Sequence, residues 1–125
     1  RCMNAQIQQL LTQLRRRYTA LSETLELTVQ LGEALDRGDR TSFGLLLTMR
    51  QETILRLQDS DQAMHTLCAS LSNDIQQKWQ ALLDGGLPND EDEQLLARQI
   101  AQNRQLLDRL LPLNQRIEQG LSTRG

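Results

Sequence analysis

The sequence predicts an all-α protein, an antiparallel bundle of three long helices in which a coiled-coil-like hairpin is joined by a third, kinked helix. Three observations carry that expectation. Leu, Gln, Arg, Glu, Asp and Ala dominate the chain, and all of these but Asp are good helix formers that lose little rotamer freedom in a helix. β-Branched residues are too scattered for any run to read as a strand. Apolar residues recur in steps of three and four over long stretches, and two short breaks divide the chain into three such stretches. Aromatics are only 2% of the residues (Tyr18, Phe43 and Trp79), so leucine seams between helices must supply the core.

The first helix is expected from about residue 4 to 36. Its seam is Ile7, Leu11, Leu14, Tyr18, Leu21, Leu25 and Leu35, with Thr28 and Gly32 filling two of the steps. This is a heptad pattern held over about four repeats. Leu10, Leu27 and Leu31 widen it, so the helix should meet two neighbours. In the break that follows, Asp36-Arg37-Gly38-Asp39, Gly38 suits the left-handed position that ends a helix and Asp39 suits the cap of the next. A connection this short turns the chain back on itself.

The second helical region is expected over 40–83, with a seam of Phe43, Leu47, Ile54, Leu57, Met64, Cys68, Leu71, Ile75 and Leu82. Arg50, Asp61 and Lys78 also fall on seam positions. At 1.5 Å per residue this helix would reach about 65 Å against about 50 Å for the first. It therefore overshoots its partner as one continuous helix or breaks near Asp59, and the continuous form is the expectation. Asp84-Gly85-Gly86-Leu87-Pro88-Asn89-Asp90 then forms the strongest stop in the chain. Glu91, Asp92 and Glu93 favour the first turn of a third helix, expected over 91–119, because the helix dipole attracts carboxylates there. Its seam is Leu96, Ile100, Leu107, Leu110 and Ile117, with Asn103 and Asn114 interspersed. Buried asparagines of this kind can fix register; a position near the surface is the alternative. Pro112 should kink this helix or separate a short last segment, with Ser122 to Gly125 frayed.

All 125 residues read as a single helical domain. The net charge of −2, with both signs mixed, gives no concentrated basic field for nucleic acid. Arg15-Arg16-Arg17 covers almost a full helical turn and reads as a solvated face. No apolar stretch reaches the roughly 20 residues that span a bilayer, so membrane insertion is not expected. The N-terminus lacks a signal-peptide core, and Met3-Asn4-Ala5 reads as a natural start preceded by two extra residues. Cys68 reads as a buried free thiol in a reducing cytoplasm, in preference to a disulfide with Cys2.

Nothing in the chain reads as catalytic, so an enzyme is not expected, and neither is a metal or cofactor. His65 is the one histidine; with Cys68 it offers two ligands where a metal site needs more. Gly85-Gly86 has neither the spacing nor the lysine of a phosphate loop. Glu23, Glu26 and Glu33 lie among arginines on helix surfaces. The cluster Leu106, Leu107, Leu110, Leu111 and Leu113 is more apolar than one seam requires. Either all five are buried as Pro112 re-aims the helix, or they form an apolar strip for a partner helix.

The segment Leu14 to Leu57, LRRRYTALSETLELTVQLGEALDRGDRTSFGLLLTMRQETILRL, resembles flagellar export chaperones of the FlgN type and the related FliT-like proteins. Gly38-Asp39, Leu45-Leu46-Leu47 and Arg50-Gln51-Glu52 stand where that family has its turn, its leucine pair and its basic–Gln or basic–Glu step. LLPLNQRI, from Leu110 to Ile117, is similar to the family's helical C-terminal part; Pro112 departs from it. The resemblance implies a cytoplasmic chaperone that holds helical termini of hook–filament junction or cap proteins before export. It would place the partner-binding strip on Leu106, Leu107, Leu110, Leu111, Leu113 and Ile117. The chain would act as a monomer or homodimer through helix–helix contacts. A self-associating coiled-coil adaptor is the alternative.

Overall fold

The computed structural model describes residues 4–124, with side chains described through residue 121. The readings made for Arg1, Cys2, Met3 and Gly125 lie outside these residues. The fold is an all-helical bundle with no strand among the described residues. The described residues form four helices where three were expected: α1 (Ala5–Asp36), α2 (Arg40–Ser70), α3 (Asn73–Leu83) and α4 (Glu91–Arg124).

α1 begins where the Asn4 side chain accepts the amides of Gln6 at 2.8 Å and Ile7 at 3.3 Å, two of the four donors a helix start leaves unmatched. It ends in a Schellman arrangement. Gly38 takes φ +71°, its N–H donates to Leu35 at 3.2 Å, and the Asp39 N–H donates to Ala34 at 2.9 Å. The Asp39 carboxylate then caps α2, accepting the Ser42 amide at 3.0 Å and the Ser42 hydroxyl at 2.7 Å. These two bonds hold the Asp39 carboxyl below its ordinary value, the backbone amide contributing most.

The second helical region is not continuous. It runs unbroken through Asp59, passes to extended backbone at Leu71, and restarts behind the cap Ser72, whose hydroxyl accepts the Ile75 amide at 3.4 Å. Length explains the break. α2 has 31 residues and α1 has 32, so α2 stops level with the start of α1, where the Ser72 amide donates to Gln6 Oε1 at 3.1 Å. Breaking there lets Leu71, Ile75, Trp79 and Leu82 fold back into the core instead of running past it into water.

α3 ends as α1 does. Gly85 takes φ +90°, and Gly86 donates to Ala81 at 2.8 Å so closely that a Cβ on Gly86 would meet that carbonyl. Asp90 caps α4 by accepting the Glu93 amide at 2.8 Å. α4 continues past the expected end at Gln119 to Arg124 and is not divided at Pro112. Pro112 lies on the exposed side, as does Asp108, whose carbonyl it deprives of a donor; water can serve that carbonyl.

α1 is the helix that the others share. It packs along both α2 and α4, and α3 packs on α4, whereas α2 and α4 meet only slightly. From Arg17–Asp61 through Glu23–Arg56 and Thr24–Thr53 to Thr28–Arg50, the partners rise along α1 and fall along α2. Against α4 they rise together, from Leu14–Asn103 to Asp36–Arg116. The larger core cluster lies at the α3 end and unites Leu10, Leu11, Leu14, Ile75, Trp79, Leu96 and Ile100. A smaller one higher up holds Leu21, Leu25 and Leu110.

Candidate functional site

Among the described residues no group of three or more His, Cys, Asp or Glu could hold a metal ion. No helix of the described residues is long and apolar enough to cross a membrane. His65 is exposed on α2, and Cys68 carries a free thiol, half-buried beside the larger core cluster. Burial pushes that thiol up, opposed by its contact with Trp79, so it is less of a nucleophile than a free cysteine.

The leucine-rich strip of α4 is divided by the helix geometry. Leu110 is 8% exposed and Ile117 1%, while Leu111 on the opposite side is 56% exposed. Leu106, Leu107 and Leu113 are half-buried and pack on the cluster of Leu21 and Leu25. Leu107 also lines a half-open cleft of about 330 Å³ between α2 and α4, just beyond the end of α3. Leu14, Leu21, Met64 and Trp79 make its apolar wall, and the Arg17–Asp61 ion pair stands at its edge.

The asparagines of the α4 seam both bond across helices. Asn103 is buried; its Nδ2 donates to the Leu14 carbonyl on α1 at 3.0 Å, and its Oδ1 accepts from Gln99 at 3.0 Å. Asn114 Oδ1 accepts from Arg50 Nη1 at 2.7 Å, and the same nitrogen donates to Thr28 Oγ1 at 3.2 Å. Arg50 thus ties all three long helices together. Burial lowers its pKa from the ordinary arginine value, offset in part by the Glu118 carboxylate. Next to it, Thr24 and Thr53 meet at 2.8 Å across the α1–α2 seam. Each hydroxyl also has a carbonyl of its own helix in reach, Ala20 at 2.7 Å and Arg50 at 2.8 Å. Ser60 Oγ, buried in the same seam, and Gln13 Oε1 have no hydrogen-bond partner.

α2 differs most from its sequence pattern. Thr53 and Ser60 are its only buried residues, and the expected seam of Phe43, Leu47, Ile54, Leu57, Met64 and Cys68 is half-buried throughout. Small residues explain the rotation: Thr53 and Ser60 allow close approach to Ala20 and Thr24, which puts the apolar side chains on either flank of the contact line. Leu45, Met49 and Leu55 are left exposed. The sequence carried one signal of this. Leu45, Leu46 and Leu47 are consecutive, and consecutive helical positions cannot all face one neighbour.

No protein-family model, curated protein or solved structure matches the chain.

Proposed function

We propose that this chain is a non-enzymatic, helix-binding protein, specifically a cytoplasmic chaperone of flagellar secretion that holds a helical terminus of a junction or cap protein before export. The family part of this reading rests on the resemblance of the Leu14–Leu57 segment. The binding part rests on α2, a 31-residue helix with no buried apolar side chain and with Leu45 64% and Met49 54% exposed. An apolar face left open along one helix of a bundle is a surface for another helix to cover. We read the bundle as antiparallel, α2 running against α1 and α4. On α4 the contact falls to Leu111 and the half-open Leu106, Leu107 and Leu113, with Leu110 and Ile117 holding the bundle behind them.

The test is co-purification of the full chain with flagellar junction and cap proteins, using photo-crosslinkers at Leu45, Met49 and Leu111. A 1:1 complex crosslinked at these positions is the expected result; no complex with any of these cargoes sinks the flagellar assignment. The same exposed side chains also suit a self-associating adaptor. In that case light scattering of the chain alone would show a stable oligomer, and added cargo would not be bound.

A further inference from the structure

The α1–α2 pair has a groove on the side where no α4 residue reaches, near the Gly38 turn. It encloses about 440 Å³, with Leu45, Leu46 and Met49 on the α2 wall and Gln30, Glu33 and Arg37 on the α1 wall. The register of the walls follows from the Glu23–Arg56 ion pair and the Thr24–Thr53 and Thr28–Arg50 bonds. Carried along both helices toward the turn, it sets Glu26 level with Glu52, Gln30 with Met49, and Glu33 with Leu45. The groove therefore has an apolar stretch on α2 with the Glu33 carboxylate across from its Leu45 end and two carboxylates, Glu26 and Glu52, below it.

Those carboxylates stand in the open without a close counter-ion among the described residues. Glu26, Glu33 and Glu52 are exposed, and none forms an ion pair among the described residues. The two arginines nearby are engaged: Arg37 with Asp39 at 3.5 Å, and Arg56, whose field reaches Glu52, with Glu23. Like charges set level across a groove repel, and among the described residues only the Arg56 field on Glu52 offsets that repulsion.

We propose that this groove docks a cationic amphipathic helix of a protein partner, its apolar ridge on Leu45, Leu46 and Met49 and its flanking Lys or Arg residues on Glu26, Glu33 and Glu52. Unbranched Met49 can re-pack around side chains of different shape. A second copy of this chain is the poorer occupant. A two-fold contact lays the same patch against itself, which would press these carboxylates on one another. The proposal rests on the chain being a helix-binding protein but not on its cargo being flagellar.

The probe is a synthetic amphipathic peptide of about 18 residues, or five turns, with leucines along one face and lysines beside them. A matched peptide carries glutamates in place of the lysines. Binding to the full chain is read by fluorescence anisotropy. The lysine peptide is expected to bind, to weaken at least about tenfold when Glu26→Gln, Glu33→Gln and Glu52→Gln are combined, and to weaken as salt rises from about 0.05 to about 0.5 M. Met49→Ser should weaken it independently of salt, with circular dichroism verifying that both variants keep their helices. The proposal is overturned if the lysine peptide does not bind, if the glutamate peptide binds equally, or if the variants bind like the parent. It is also overturned if the chain is a dimer that Met49→Ser dissociates, since a second copy then fills the groove. Cargo captured without any charge dependence would remove the groove and leave the chaperone reading standing; peptide binding without flagellar cargo would do the reverse.

Discussion

The two ends of the bundle are built from different materials. At the α3 end, leucines of α1 and α4 close around Ile75, Trp79 and Leu82, and the side chains interlock in a continuous apolar cluster. Toward the Gly38 turn Leu31, Ala34 and Ile117 stay buried, but the contacts of α2 pass to Thr24, Thr28, Thr53, Arg50 and Asn114, while Leu45 and Met49 face out. One end gains stability from area removed from water. At the other, α2 is aligned on its neighbours by hydrogen bonds, each worth far less in net terms.

The sharpest way to break this comparison is truncation at matched leucines. Leu10 at the packed end is completely buried, and Leu10→Ala should lower unfolding free energy by about 3 kcal/mol. Leu45→Ala at the open end should stay within about 0.5 kcal/mol. Urea melts of the two variants measure the difference; comparable losses would mean that the Leu45 face of α2 is packed rather than open.

Arg50 gives the next largest effect. Arg50→Met keeps the stem of the side chain and removes the bonds to Thr28 and Asn114, and a loss of about 1–2 kcal/mol is expected. A double-mutant cycle with Asn114→Ala should give a coupling of at least about 0.5 kcal/mol. Additive losses would show that the bridge does not hold α2 to α4.

The smallest effect is that of acid on the turn. The Asp39 carboxyl titrates below its ordinary 3.8 in the folded chain because the Ser42 amide and hydroxyl bond its ionised form. A depressed folded value means that this cap contributes fully above pH 3.8 and is lost as pH falls through the lower folded value. Asp39→Asn keeps a capping side chain without the titration, so its stability should fall less steeply than that of the parent below that pH. Parallel acid slopes would show that the cap bonds contribute nothing to the turn.

The turns were legible in the sequence and the rotation of α2 was not. Gly38 and the Gly85-Gly86 pair meet local demands of backbone geometry, which the residue types announce by themselves. The break at Leu71–Ser72 has no glycine or proline. It is set by where α1 begins, a fact of tertiary structure visible in sequence only as a mismatch of helix lengths. For α2, apolar spacing pointed to Ile54 and Leu57, but the closest contact with α1 is made by Thr53 and Ser60. Reading it would have required weighing side-chain size above hydropathy. The α4 strip shows the same limit: five leucines in eight positions announce an apolar helix, yet only the placement of α1 decides that Leu110 turns in and Leu111 out.

The Thr24–Thr53 contact has a consequence for how the hairpin can move. The two hydroxyls have two protons between them and three oxygens to satisfy, counting the bond to each other. If α2 lifts away here, Thr24 still donates to Ala20 and Thr53 to Arg50, each within its own helix. Neither is orphaned. A seam zipped with such self-sufficient hydroxyls can part and reclose at little enthalpic penalty, which the apolar contact of α1 with α3 and α4 cannot do.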